Sequence, residues 1–227
     1  MAIPASTPRE RVRIWDLPVR LFHWVIVVLI ALAWWTAEND QLRWHLLIGD
    51  AIAGLLVFRL CWGLFGSSTA RFSHFLKGPN AVARYAAGLF RRPAQVGPPG
   101  HNPMGGWSVV ALLALMAAIV GLGLFSVDVD ATASGPLADH VSFDHGRVAA
   151  HWHHLLFDGL LAFIALHLLA IAFYTLAKRD NLVGPMITGR KSMVEGGGLR
   201  SGRWPLLLFA AGLGVVVAAF LLNGAKI

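Results

Sequence analysis

Residues 151–167 read HWHHLLFDGLLAFIALH, and the apolar run continues to residue 177. The segment makes two statements at once. A helix needs roughly 20 mostly apolar residues to cross a bilayer, and this one is long enough. It also carries four histidines: His151, His153, His154 and His167. Ionisable side chains are expensive in hydrocarbon, so those that persist there mark a functional site.

Working outward, four more blocks share this character, at residues 21–36, 45–65, 107–125 and 204–222. The first reaches spanning length only if its helix starts near Leu17. The chain is 56% hydrophobic and 14% charged, against about 25% charged for a soluble domain. Strand-type alternation is missing, and lipid admits only helices and closed barrels. The fold predicted is an all-α integral membrane protein, a four-helix bundle plus a fifth transmembrane helix. Residues 1–177 would hold an N-terminal arm and the bundle, and residues 178–227 a linker and the fifth helix. Asp16-Leu17-Pro18 reads as a cap with an early proline. The short turn at residues 38–41 makes the first two helices antiparallel neighbours. Gly63 and Gly66 should close the second helix, and residues 80–90 suit a short amphipathic surface helix. Asn102-Pro103 leads into the third span, and residues 196–198 mark a flexible link. An apolar run after an arginine-rich start imitates a signal peptide. It continues into Trp34 and Trp35 and contains His23, so a retained helix is expected. Cys61, the single cysteine, is assigned to packing.

Basic residues gather on alternate loops. One side holds Arg9, Arg11, Arg13 and Arg20, then Arg71, Lys77, Arg84, Arg91 and Arg92. It also holds Lys178, Arg179, Arg190, Lys191, Arg200 and Arg203. The other side holds Arg43, Arg147 and Lys226, with the acidic Asp128, Asp130, Asp139 and Asp144. By the positive-inside rule the N-terminus is cytoplasmic and the C-terminus periplasmic, in a bacterial inner membrane. Topology accounts for the charge, so no nucleic-acid partner is inferred from a sequence pI near 10.5; the medium contacted is membrane lipid.

Helix geometry sorts the histidines. At about 100° and 1.5 Å per residue, His153 and His167 lie within about 40° of one face and roughly 21 Å apart along the axis. His154 points about 140° and His151 about 160° away from His167. Depth then pairs the helices. His23, in a helix entering from the basic side, matches His167. His45, in a helix entering from the other side, matches His153. Two facing imidazoles in a bundle core are what a six-coordinate b-type haem requires. The four residues are therefore expected as axial ligands of two haem b groups, in the pairs His23/His167 and His45/His153. Arg59 lies 14 residues after His45 and repeats its face one level further in. A buried arginine needs an anion, and haem carries propionates; Arg20 is a second partner. Gly49 and Gly54 would let a macrocycle approach the backbone. His151 and His154 are placed at the polar boundary. His74 and His101, in the basic loop, are read as solvent or headgroup contacts. His140 and His145 each follow an aspartate in the outer loop.

These residues resemble the prokaryotic cytochrome b561 family, near the b-type cytochrome subunits of membrane-bound nickel–iron hydrogenases. The stretches that carry the resemblance are WDLPVRLFHW, HLLIGDAIAGLLVFRLCWGLFG, ARFSHFL, GHNPMGGWSVVALL and HWHHLLFDGLLAFIALH. The resemblance implies a di-haem four-helix core with ligands at His23, His45, His153 and His167. It also implies electron exchange with quinone at one haem and with a redox partner at the other. That partner would be a hydrogenase, a dehydrogenase or a c-type cytochrome. His154 departs from the family, which often has an acidic residue there, and the fifth helix is an extension. The competing reading is a histidine-based proton or metal-ion transporter. Against it, there are no inverted repeats and no mid-depth carboxylates beyond Asp50 and Asp158. A membrane anchor for a redox complex is a third reading.

Overall fold

The structure, a computed structural model, describes residues 10–89, 100–129, 134–193 and 199–224. Arg9, Phe90, Arg91, Arg92, Asp130, residues 196–198 and Lys226 lie outside that set. Eight helices are described: α1 (Leu17–Glu38), α2 (Leu42–Phe65), α3 (Phe72–Phe75), α4 (Pro79–Gly88), α5 (Pro103–Phe125), α6 (Phe143–Leu176), α7 (Val183–Thr188) and α8 (Trp204–Leu222). Five of them, α1, α2, α5, α6 and α8, are long and apolar enough to span a membrane. The chain is an all-α membrane protein. Its only described sheet is a two-stranded ribbon of β1 (Glu10–Arg13) and β2 (Arg190–Met193).

Helix ends follow local chemistry. Asp16 caps α1, with its Oδ1 accepting the Val19 N–H at 2.8 Å, and Pro18 fits the first turn, which has N–H groups to spare. The second Asp16 oxygen accepts the Trp62 indole N–H at 2.9 Å, so one carboxylate starts α1 and ties down the end of α2. Asn102 caps α5 through the Gly105 N–H at 2.7 Å. Ser142 caps α6, which therefore begins eight residues before the apolar run. The surface helix expected at residues 80–90 is α4. The ribbon was not anticipated. It pairs Arg11 with Ser192 and Arg13 with Arg190, joining the N-terminal arm to the linker before α8.

The core sits between α1, α2, α5 and α6. Phe22, Ile26, Ile52, Leu56, Leu113, Met116, Ile119 and Leu160 form one buried cluster. In α2, 44% of the spanning window is buried, against 17% or less in the other four spans, so α2 is the central helix. Leu166, Leu169 and Leu176 of α6 are largely exposed; a bilayer is the solvent that suits them. The fifth span packs along α2 more extensively than any other pair of elements meets. There Gly54 departs from the expected macrocycle contact. It faces α8 and not a cofactor, and a Cβ on it would lie 2.5 Å from the Gly214 carbonyl oxygen. Small residues allow this close approach in membranes. Gly54→Leu is therefore expected to separate α2 from α8, at a cost of about 1–3 kcal/mol or more. A thermal melt in mild detergent, followed by size exclusion, checks it; Gly212→Leu, at an exposed position of α8 where a Cβ meets nothing within 4 Å, is the matched control.

Candidate functional site

Two groups of polar residues interrupt the apolar bundle, one near each end. At the acidic end, His45 of α2 and His153 of α6 face one another across the core. Their ring centroids are 5.9 Å apart and the planes nearly perpendicular, at 84°. The His45 Nδ1–H donates to the Ala33 carbonyl at 2.9 Å, and the His153 Nδ1–H donates to the Ile119 carbonyl at 2.8 Å. A carbonyl only accepts, so these bonds assign the proton to Nδ1 and leave each Nε2 with a bare lone pair. Such an outer bond is what orients imidazole toward a metal. One ion bonded to a nitrogen of each ring, at about 2.0–2.1 Å as in zinc sites, would set the centroids roughly 6 Å apart.

Both rings line a cavity of about 320 Å³. Gly49, one turn along from His45, lies on its wall, and a Cβ there would meet nothing within 4 Å. Trp34, Met116, Leu160 and the buried Asp50 complete much of the lining, which also includes Arg147. The residues present fit a flat, apolar, metal-centred group. His154 also lines the cavity, with its ring 5.8 Å from that of His153, although as a residue it is exposed. His151 is exposed too and lies edge-on to Trp152.

At the basic end, His23 and His167 are half-buried and close enough for their charges to interact. Their arrangement differs from the outer pair: the buried His23 Nδ1 has no hydrogen-bond partner among the described residues. Arg59 is 3% exposed. Its guanidinium lies over the Phe72 ring, 5.2 Å from the centroid, and Nη1 donates to the Ala70 carbonyl at 3.4 Å. Arg20 turns the other way. It donates from Nε to the Met186 carbonyl at 3.4 Å and from Nη2 to the Ile187 carbonyl, at the end of α7.

One expectation is overturned. His101 is not a solvent or headgroup contact. Its ring sits between Trp15 and Phe75, 4.6 Å from each centroid, and its Nδ1 is sealed from solvent without a partner. Loop sequence alone does not show that residues 67–75 fold back beneath the bundle and bury it. Both His101 and Arg71 do fall in stretches, GHNP and ARFSHFL, that carry the family resemblance.

A sequence model of the family described as prokaryotic cytochrome b561 matches residues 14–189. Neither the curated proteins nor the solved structures include a match to the chain.

The environment of His101 has a pH signature. Burial first, then the charges of Arg59 and His167, push its imidazole down to about 3. The unfolded chain takes up that proton near 6.5, whereas the folded chain resists it until about 3. The contribution is fully present above pH ~6.5 and declines as pH falls through this window. Thermal midpoints of purified protein should drop between pH 7 and pH 4, less steeply in His101→Phe. Identical slopes would show that His101 is not a group that resists the proton.

Proposed function

Because the chain belongs to the prokaryotic cytochrome b561 family, we propose that it carries electrons across a bacterial inner membrane through two b-type haems. They would link the quinone pool to a periplasmic or membrane-associated redox partner. Transmembrane electron transfer with haem b follows from the family itself. The count of haems, the quinone, the partner and the orientation are the finer parts of the proposal. The partner class is a hydrogenase, a dehydrogenase or a c-type cytochrome.

The observation that carries the reading is the His45/His153 pair, two facing imidazoles whose outer nitrogens are each committed to a carbonyl. His45 and His153 are assigned as axial ligands of one haem, and His23 and His167 of the other. Bound haem supplies a reversible one-electron iron centre, whose potential depends on ligands, burial and hydrogen bonding. The chain does the rest. Carbonyls of α1 and α5 hold the outer imidazoles in one tautomer. Gly49 leaves its wall of the cavity bare for a macrocycle. Arg59 offers positive charge to propionates, while Arg20 at the same end is held by the Met186 and Ile187 carbonyls. The clustered leucines and phenylalanines keep water from the core. Residues 1–177 act as the haem-holding unit, and residues 178–227 supply the linker and a fifth helix that braces α2. Arginines and lysines around the start of α1 and beyond the ends of α2 and α6 support a cytoplasmic N-terminus. The C-terminus is then periplasmic.

Purified protein should be red, with a dithionite-reduced b-type spectrum and a haem-to-chain ratio near two. His153→Ala should roughly halve that ratio, and His154→Ala should leave it unchanged. A colourless, folded wild type sinks the assignment. Equal haem loss in both variants would remove His153 as the ligand on its helix face.

A further inference from the structure

A second cavity, of about 640 Å³, opens outside the histidine-bearing core, beside the start of α1. Its wall carries five cations, Arg11, Arg13, Arg20, Arg190 and Lys191, and one carboxylate, Asp180. They come from separate stretches of chain: β1, the first turns of α1, and the segment from the end of α6 to β2. The ribbon decides how they gather. Its register sets Arg11 opposite Ser192 and Arg13 opposite Arg190. Side chains alternate along a strand, and directly opposed residues share a face. Arg11, Arg13 and Arg190 therefore stand on one face of the ribbon, and that face lines the cavity.

Like charges directly opposite one another across a ladder are destabilising. Asp180 does not relieve them. Its two oxygens lie 2.7 Å and 2.9 Å from the Lys191 ammonium, so that pair is closed on itself. Arg20 donates to the Met186 and Ile187 carbonyls and pins the end of α7. Among the described residues, the side chains of Arg11, Arg13 and Arg190 have no hydrogen-bond or ion-pair partner. The positive-inside rule accounts for cations at this end of the bundle. It does not account for a fold that sets two arginines against each other on the wall of a cavity. A bound anion does. A phosphate diester offers its oxygens to guanidinium forks and neutralises the face.

The setting selects the source of the phosphate. Arg20 and Trp24 belong to the spanning helix α1. The Trp24 indole N–H donates to the Met186 carbonyl at 3.3 Å, so α7 lies against the first turns of α1, where a span leaves the lipid. Gly184 and Thr188 of α7 line the cavity, whereas Val183 and Ile187, on the adjoining face, are exposed. Leu21 and Trp24 of α1 are exposed as well. A cationic hollow thus borders apolar surface, which acyl chains need and free phosphate does not. We propose that Arg11, Arg13, Arg20 and Arg190 form a site for the phosphate headgroup of an anionic phospholipid, whose acyl chains lie along Leu21 and Trp24 of α1 and Ile187 of α7. Basic pockets of this kind between membrane elements recognise anionic headgroups. The bound lipid clamps the N-terminal arm to α7 and β2.

The test is native mass spectrometry of the full chain in non-ionic detergent, titrated with phosphatidylglycerol, phosphatidylcholine or inorganic phosphate. Wild type should retain phosphatidylglycerol roughly tenfold more tightly than phosphatidylcholine, and inorganic phosphate should not displace it. Arg13→Gln and Arg190→Gln should each weaken phosphatidylglycerol retention by about fivefold and leave phosphatidylcholine unchanged. Arg84→Gln, on the exposed side of α4, should alter neither. If a ribbon variant does not assemble, the wild-type titrations decide. Equal retention of the two lipids by wild type overturns the site. So does an equal loss in Arg84→Gln, which would assign the preference to surface charge at large. Displacement by inorganic phosphate would make the hollow a soluble-anion site and overturn the lipid assignment.

Discussion

His45 and His153 each stand on the second helix of a hairpin, and each gives its Nδ1–H to a carbonyl on the first: Ala33 of α1 and Ile119 of α5. In hydrocarbon a ring proton has no water to turn to, so it must find an acceptor in the protein. A helical carbonyl retains a second lone pair after its own helix bond, and the Ala33 oxygen also lies 3.0 Å from the Thr36 hydroxyl. The two bonds thus tie α2 to α1 and α6 to α5. The same bonds set the tautomer, and so leave one free nitrogen on each of the two facing rings. Stitching the hairpins and presenting two lone pairs across the core are one act.

The opposite end is built on charge and not on carbonyl pairing. Asp16, at 5% exposure, and Arg59, at 3%, are both buried, and the Asp16 oxygens serve the start of α1 and the end of α2. An isolated buried guanidinium would be intolerable, yet it is placed on the most buried helix of the bundle. The surrounding Phe72 and the Ala70 carbonyl soften that cost without neutralising it. A bundle with one neutral, preset end and one positively charged end offers two unlike environments to a bound group. Under the proposed di-haem reading, unlike potentials would follow from that difference alone.

Much of this was legible in the sequence because it is periodic or terminal. The 14-residue spacings from His45 to Arg59 and from His153 to His167 survive as face and depth because α2 and α6 are uninterrupted helices. Asp16-Leu17-Pro18 is a local cap signal, and Asp16 caps α1. What escaped depends on how distant segments meet. The strands ERVR and RKSM carry mostly charge and show no apolar alternation, so only their pairing reveals them. Gly54 gives no sign of which helix it faces, and Gly214 answers that from 160 residues away. His101 looked exposed because its neighbours in sequence are polar, whereas its neighbours in space are Trp15 and Phe75.

Between the two polar levels lies the largest buried apolar cluster, drawn from all four core helices. Its usual reading is stability, since dense packing holds helices that lipid does not press together. Here it has a second consequence. Ile52 and Leu56 occupy the turns of α2 between His45 and Arg59, and Leu160 occupies α6 between His153 and His167. A charge placed at one level is then separated from the other by a medium of low polarisability and not by water. Interaction across such a medium is stronger at a given separation than it would be in solvent. The packing that keeps water from the two histidine pairs also lets each end sense the charge state of the other. If each end holds a haem, as proposed, the core acts as spacer and coupling medium as well as scaffold.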